Sequence, residues 1–344
     1  MKDLRGLTLS ETEEIVRAEG EPRFRGKQLF QWVSRGVTDF GEMRNLPKAL
    51  RQNLAEKYRI DSLRVLRDLQ SRSDGTRKFL FALEDGNAVE SVFMKYSYGN
   101  TVCVSSQAGC RMGCAFCASG IDGLRRNLTA GEMISQILDI ERVTGEKVSR
   151  TVVMGTGEPF DNYDELAKFI RVMNDVDGRN MGMRNFTVST CGLVPEMLRF
   201  AGDFPQVNLA VSLHAPTDEQ RSRIMPVNRR YPLRELMEAA EKYETVTSRR
   251  VTFEYALIRG VNDRDRDVEQ LIRLLSGTLC HVNLIPLNEV CETGFVTAGR
   301  ERAKAIQKTL EQNGIPATVR RQLGADIDGA CGQLRLENSQ KYIE

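Results

Sequence analysis

The sequence predicts an α/β fold, an open partial (β/α)6 barrel with a small helical N-terminal domain and a short β extension in front of it. Three observations predict it. Extended, β-branched segments alternate six times with helical patterns after residue 100; the first sixty residues carry apolar side chains at helical spacing; and the polar and glycine-rich motifs fall at the ends of the extended segments. Repeated β-then-α units imply parallel strands joined by right-handed crossovers. Roughly 210 residues is short for eight such units, so six strands fit better than a closed barrel. A doubly wound sheet is the structural alternative.

In the N-terminal segment, Ser10-Glu-Thr-Glu-Glu-Ile-Val reads as a helix start with a capping serine and early acidic residues. Residues 24–33 and 46–58 carry apolar residues at helical spacing, with turn signals around Gly36 and Pro47. Residues 1–60 are expected to form a helical accessory domain. Between 61 and 100 the texture becomes extended, and Asp85-Gly86 between apolar runs signals a hairpin. Strands are then expected at 101–105, 151–154, 185–189, 207–213, 251–256 and 281–285. Helices are expected at 130–144, 163–175, 194–200, 232–245, 265–276 and 297–313. The barrel is thus assigned to 101–320 and a polar tail to 321–344.

Composition bounds the function less than it bounds the fold. The chain has 344 residues, 41% hydrophobic and 28% charged, enough for a sizeable core. A net charge of +2 announces no nucleic-acid partner by itself. The pairs Arg125-Arg126, Arg229-Arg230, Arg249-Arg250 and Arg320-Arg321 each read as solvated surface charge. Eight cysteines in a large chain without an apolar N-terminal segment do not imply a disulfide framework. No apolar run approaches the roughly 20 residues needed to cross a membrane. A cytoplasmic protein without membrane contact is expected.

Cys110, Cys114 and Cys117 lie in the run Gly109-Cys-Arg-Met-Gly-Cys-Ala-Phe-Cys-Ala, after the first barrel strand. This CxxxCxxC spacing supplies three thiolates to a cluster of four irons and leaves one iron open for a substrate, whereas structural clusters take four. Zinc would want a second ligand pair, which is missing; the chain has two histidines. Gly155-Thr-Gly-Glu-Pro follows the second strand. Gly157 would let backbone approach a ligand, and Glu158 offers a carboxylate to an ammonium group. Ser189, Ser212, His214 and Asn288 sit at later strand ends on the same rim, where parallel barrels place their active sites. Taken singly they would read as caps or a core histidine.

Two further cysteines stand apart. Cys103 lies on the first strand. Cys331 sits in Gly324-Ala-Asp-Ile-Asp-Gly-Ala-Cys-Gly-Gln-Leu, a polar tail with no core for a thiol to fill. In Val89-Glu-Ser-Val-Phe-Met, period-two alternation puts Glu90 with Val92 and Met94, and burial there would favour its neutral form. An edge carboxylate facing water is the alternative.

Together with these, the runs Val102-Cys-Val-Ser-Ser-Gln-Ala-Gly-Cys, Arg126-Asn-Leu, Ser212-Leu-His-Ala-Pro and Val282-Asn-Leu-Ile-Pro resemble the RlmN/Cfr family of radical-SAM RNA methyltransferases, over essentially the whole chain. The resemblance implies a [4Fe-4S] cluster on Cys110, Cys114 and Cys117. It implies S-adenosylmethionine held by Gly157, Glu158, Ser189, Ser212, Leu213, His214 and Asn288. It implies Cys331 as the carrier of a methyl group, Cys103 as the thiol that releases RNA and leaves a transient disulfide, and Glu90 as proton acceptor. The implied substrates are an adenine of 23S rRNA in the peptidyl-transferase region and the tRNA adenine 3′ of the anticodon, methylated at C2. The implied partner is an electron donor such as flavodoxin or ferredoxin, and the implied state is monomeric.

C8 methylation of the same ribosomal adenine is the nearest alternative, and a radical-SAM activase or a non-enzymatic iron–sulfur RNA-binding protein the more distant ones. Cys191, Cys280 and Cys291 match no family role. Thr156 and Gly329 stand where the family commonly has Met and Ala; both are expected to leave the chemistry intact, with any effect of Thr156 falling on the fit around the cofactor. Arg23, Arg25 and Lys27 are expected to help grip RNA.

Overall fold

The structure, a computed structural model, describes residues 1–60 and 62–334. Ten strands form one continuous sheet. From one edge they run Ala317–Val319, Cys280–Pro286, Val251–Leu257, Asn208–Ser212, Phe186–Thr190, Arg150–Val153, Gly99–Cys103, Ala88–Tyr96, Arg77–Ala82 and Arg64–Gln70. From Ala317–Val319 as far as Gly99–Cys103 every neighbouring pair is parallel; the remaining pairs are antiparallel. All six expected parallel strands are present, within three residues of their expected ends. A seventh, Ala317–Val319, extends the parallel set beyond the sequence reading. It is three residues long and half exposed, too short to show alternation.

The helices follow the apolar periodicity. Ala130–Thr144 begins with a capping box between Thr129 and Glu132 and ends on Gly145 in the left-handed region. Its apolar residues Met133, Ile134, Ile137, Leu138 and Ile140 are buried in the main core against the sheet. The expected capping serine of the first helix is corrected: Leu9–Ala18 is capped by Thr8, whose hydroxyl accepts from Glu11 N–H while the Glu11 carboxylate accepts from Thr8 N–H. Ser10 is the second residue of the helix, within its first turn. Helix Asp218–Ile224 went unforeseen because its charged sequence has no apolar stripe.

Helices Leu9–Ala18, Phe24–Ser34 and Lys48–Lys57 enclose their own apolar cluster around Val16, Leu29, Val33, Met43 and Leu54. Phe30, on the same helix as Leu29 and Val33, faces the other way into the barrel core. A buried ion pair adds a second tie: Arg5 Nη1 lies 3.1 Å from Asp139 on the first barrel helix, with both side chains almost fully enclosed. The antiparallel strands are continuous with the barrel sheet, since Ala88–Tyr96 pairs directly with Gly99–Cys103. Cys103 and Glu90 therefore stand on neighbouring strands of one sheet. Among the described residues, no helix is long and apolar enough to cross a membrane. The last ten residues of the tail, 335–344, lie outside the described residues.

Candidate active site

The cysteine loop is framed by a short hairpin, Gln107–Gly109 against Leu124–Asn127. Within it Cys117 N–H donates to the Cys114 carbonyl, and Ala115 N–H donates to the Ile224 carbonyl at 2.9 Å. Met112, Cys114 and Phe116 pack on an apolar floor that includes Ile224, Met225 and Leu287. The three thiols line a cavity whose other walls are strand ends: Gly157 and Glu158, Ser189, Ser212 and His214, Asn288, and from the tail Cys331. Residues far apart in sequence thus meet on one rim, as the strand-end pattern predicted.

Each of these side chains is held by its neighbours. Both Glu158 oxygens accept backbone N–H bonds, from Phe160 at 3.0 Å and Cys191 at 2.7 Å, so the carboxyl ties two strand ends together. Burial still pushes its carboxyl above the ordinary range, against those hydrogen bonds. Gly157 has φ +110°, and a Cβ there would lie 2.8 Å from Gln107 N. Glycine is required by the packing of this turn on the Gln107 strand, a different reason from close ligand approach. His214 also adopts positive φ, and its Nδ1 accepts from Ala256 N–H at 2.9 Å. Its ring proton therefore sits on Nε2. Burial, with Arg221 nearby, lowers the imidazole to about 3, so it stays neutral.

Several expectations change. Leu213 is fully buried among core residues, and its backbone groups bond to Glu254 and Arg221, so it does not face the cavity. Asn288 keeps its place on the cavity wall and in addition grips the tail, donating to the Cys331 carbonyl at 3.0 Å and accepting from Gln322. Thr156 is buried beside the Ser105 hydroxyl and is absent from the cavity wall, so this departure leaves the lining unaltered. A Cβ on Gly329 would make only ordinary contacts, so Ala and Gly are interchangeable there.

Cys103 lies outside the main cavity. It shares a second, smaller one with Cys331, Tyr96, Met154 and Arg320, and Cys331 lines both. Burial pushes the Cys103 thiol up to about 12, Cys331 adds to the rise, and Arg320 opposes it. The tail is docked on the cysteine loop, with Ala118 N–H donating to the Gly332 carbonyl and the Ser119 hydroxyl to that of Leu334. Of the two alternatives the sequence left open for Glu90 the structure has the buried one, facing a third cavity under the tail with Lys78 Nζ 3.2 Å from its carboxylate. The apolar pattern gave no sign of that ammonium.

Two arginines escaped the sequence reading. Arg320, read as half of a solvated pair, stands between the two cysteine cavities, 3.7 Å from the buried carboxylate of Glu254. Arg221 is fully buried and donates to the Cys191, Ser212 and Leu213 carbonyls and to Asn228 Oδ1. It staples two strand ends of the rim. Arg221→Met leaves those acceptors unsatisfied and is expected to cost about 3 kcal/mol in urea unfolding. A loss below about 1 kcal/mol would show the staple to be dispensable.

The donor set decides what the site can hold. Among the described residues, no group of three or more His, Cys, Asp or Glu side chains converges on a point fit for a single metal ion. Zinc draws its sulfurs to about 2.3 Å from one centre. Three cysteine thiols on one cavity wall are the ligand type an iron–sulfur cluster takes, with separate irons on separate cysteines. The residues present therefore fit a [4Fe-4S] cluster on Cys110, Cys114 and Cys117, facing the polar rim that would hold S-adenosylmethionine.

Comparison with known proteins agrees. The model of the Radical SAM superfamily matches residues 104–275, and that of the ribosomal RNA large subunit methyltransferase N-terminal domain matches residues 2–60. A probable dual-specificity RNA methyltransferase RlmN from Alkaliphilus oremlandii is 53% identical, covering 98% of either chain. One of the same description from Geobacillus thermodenitrificans is 50% identical over 97% of this chain and 93% of its own. The crystal structure of a radical SAM methyltransferase from Sphaerobacter thermophilus superposes with a TM-score of 0.93 at 48% identity, over 98% of this chain and 100% of that one. The cofactors of such enzymes are a [4Fe-4S] cluster and S-adenosylmethionine, with which the three cysteines are consistent. The chain belongs to the radical SAM superfamily and, within it, to the RlmN family of S-adenosylmethionine-dependent RNA methyltransferases.

Proposed function

We propose that the protein methylates C2 of an adenine in the peptidyl-transferase region of 23S rRNA and C2 of the tRNA adenine 3′ of the anticodon, with Cys331 as methyl carrier. The observation that carries the reading is the position of Cys331. It lines the cavity of the three cysteines on one side and the cavity of Cys103 on the other. A methyl on that sulfur would face the cofactor rim and a resolving thiol in turn.

An adenine C2 carbon is electron-poor and does not attack a sulfonium methyl by polar displacement. The cluster on Cys110, Cys114 and Cys117 and the bound S-adenosylmethionine supply one electron and a radical that takes hydrogen. The chain's own groups do the rest. Glu158, Ser189, Ser212 and the His214 Nε2–H orient the cofactor. Asn288 fixes the carrier backbone. Glu90 takes the ring proton. Cys103 attacks the Cys331 sulfur: an S–S bond forms, the S–CH2 bond breaks with its electron pair going to the methylene carbon, and that carbon takes a proton to become the methyl group. An external dithiol reopens the disulfide.

The relatives named above are described as dual-specificity, and the match of residues 2–60 to a ribosomal RNA methyltransferase N-terminal domain supports an accessory, RNA-contacting role for that segment. Residues 61–100, 101–320 and 321–344 serve as β extension, catalytic barrel and carrier tail. The enzyme works as a cytoplasmic monomer reduced by a flavodoxin or ferredoxin. Bases of single-stranded or loop RNA can be unstacked into such a pocket. Mass spectrometry of ribosomal and transfer RNA from a deletion strain tests the reading: 2-methyladenosine is expected to vanish from both and return with the gene. Loss of 8-methyladenosine alone would overturn it.

A further inference from the structure

Lys78 belongs to the strand Arg77–Ala82, and Glu90 to its antiparallel partner Ala88–Tyr96. Leu80 stands opposite Glu90, which puts Lys78 on the diagonal of the same sheet face. Its ammonium lies 3.2 Å from Glu90 Oε1 and donates to the Asp328 carbonyl at 3.2 Å. Both charged side chains are nearly enclosed, 13% and 7% exposed. Asp328 precedes the carrier Cys331 by three residues and has φ +49°, a conformation that external contacts must hold.

Two more bonds join the turn that precedes the Lys78 strand, residues 71–76, to the tail. The Asp74 carboxylate accepts from Gly324 N–H at 2.9 Å, and that of Asp326 accepts from Arg72 N–H at 3.0 Å. Those bonds reach the tail alone; the Lys78 ammonium reaches both the tail and the carboxylate. A buried ion pair is weak evidence for stability, since apolar replacements are often neutral. Its geometry here links the two groups that must meet the same base.

We propose that Lys78 is a positioning residue for adduct resolution, clamping the Glu90 carboxylate and the Cys331-bearing segment at a fixed separation. This rests on the methyl-carrier reading above. In that reading the adenine is joined to Cys331 through a methylene, and its ring carbon still carries hydrogen. The adduct gives up one electron, for which a cluster held by Cys110, Cys114 and Cys117 would be the acceptor; the C–H bond breaks, the proton passes to Glu90, and the electron pair closes the aromatic ring. Lys78 holds the carboxylate toward that carbon. Methylation of Cys331 and cleavage of S-adenosylmethionine need neither group.

The test compares full-length, cluster-reconstituted wild type, Lys78→Met, Lys78→Arg and Cys103→Ala on an RNA substrate. Four quantities are read: methyl on Cys331, 5′-deoxyadenosine, methylated adenine, and protein–RNA adduct on denaturing gels. Lys78→Met is expected to keep Cys331 methylation and 5′-deoxyadenosine formation, lose product on the order of 100-fold and accumulate adduct, since a general base contributes roughly 100- to 10,000-fold and a misplaced one forfeits the lower end of that gain. Lys78→Arg, which keeps the charge and the donors, is expected to recover most of the product. Product within twofold of wild type in Lys78→Met, or a matching loss of Cys331 methylation, overturns the proposal. If wild type yields no methylated adenine and Cys103→Ala yields no adduct, the methyl-carrier reading itself fails, and this inference with it.

Discussion

Cys331→Ala is expected to abolish methylation of RNA while leaving the iron–sulfur cluster in place. The side chain lines the cluster cavity without belonging to the loop that supplies Cys110, Cys114 and Cys117. Its backbone is anchored by other groups: Asn288 bonds its carbonyl, and the Ala118 N–H bonds the next one. Alanine leaves those anchors intact, so the fold and the bound cluster are retained and the loss is chemical. Activity should fall below detection, because no other described thiol shares both cavities. Iron content and the cluster's visible absorption are the controls. A residual rate within about tenfold of wild type would mean that the methyl reaches RNA by another route.

Cys103→Ala is expected to have an equally large but different effect. The methylene transfer precedes its action, so the variant should join itself to RNA and stop there, giving an adduct stable to denaturation. The Cys103 thiol is held protonated by burial, at about 12, and only its thiolate attacks sulfur. Below that value the thiolate fraction rises about tenfold per pH unit, so adduct resolution in the wild type should speed up as pH rises from neutrality. Turnover in Cys103→Ala at the wild-type rate, without adduct, would assign release to some other group.

The parts of the molecule legible in the sequence are those with a local signature. The parallel strands announce themselves as β-branched runs, and the polar residues at their ends mark the rim of the site: Gly157, Glu158, Ser189, Ser212 and His214 do line one cavity with the three cysteines. What escaped was set by tertiary geometry. Arg221 and Arg320 look like surface charge in sequence, yet one is fully buried and the other stands beside two thiols. Lys78 pairs with Glu90 only because two strands adopt a particular register, which alternation within either strand does not specify. Asn288 lines the cavity with the other rim residues and also binds the tail, a second bond that exists because the tail folds back over the barrel mouth. Leu213 shared a motif with Ser212 and His214, but the pleat turns its side chain into the core.

The central claim is that carbon reaches RNA by way of the Cys331 sulfur. It is tested most directly with S-adenosylmethionine whose methyl group is fully deuterated. A carrier methyl loses one hydrogen before it joins the base and regains one from water on release. The account therefore predicts product adenine bearing two deuteriums in its methyl group, after the first turnover has cleared any unlabelled methyl. Product retaining all three would mean intact transfer of the methyl group and would contradict it.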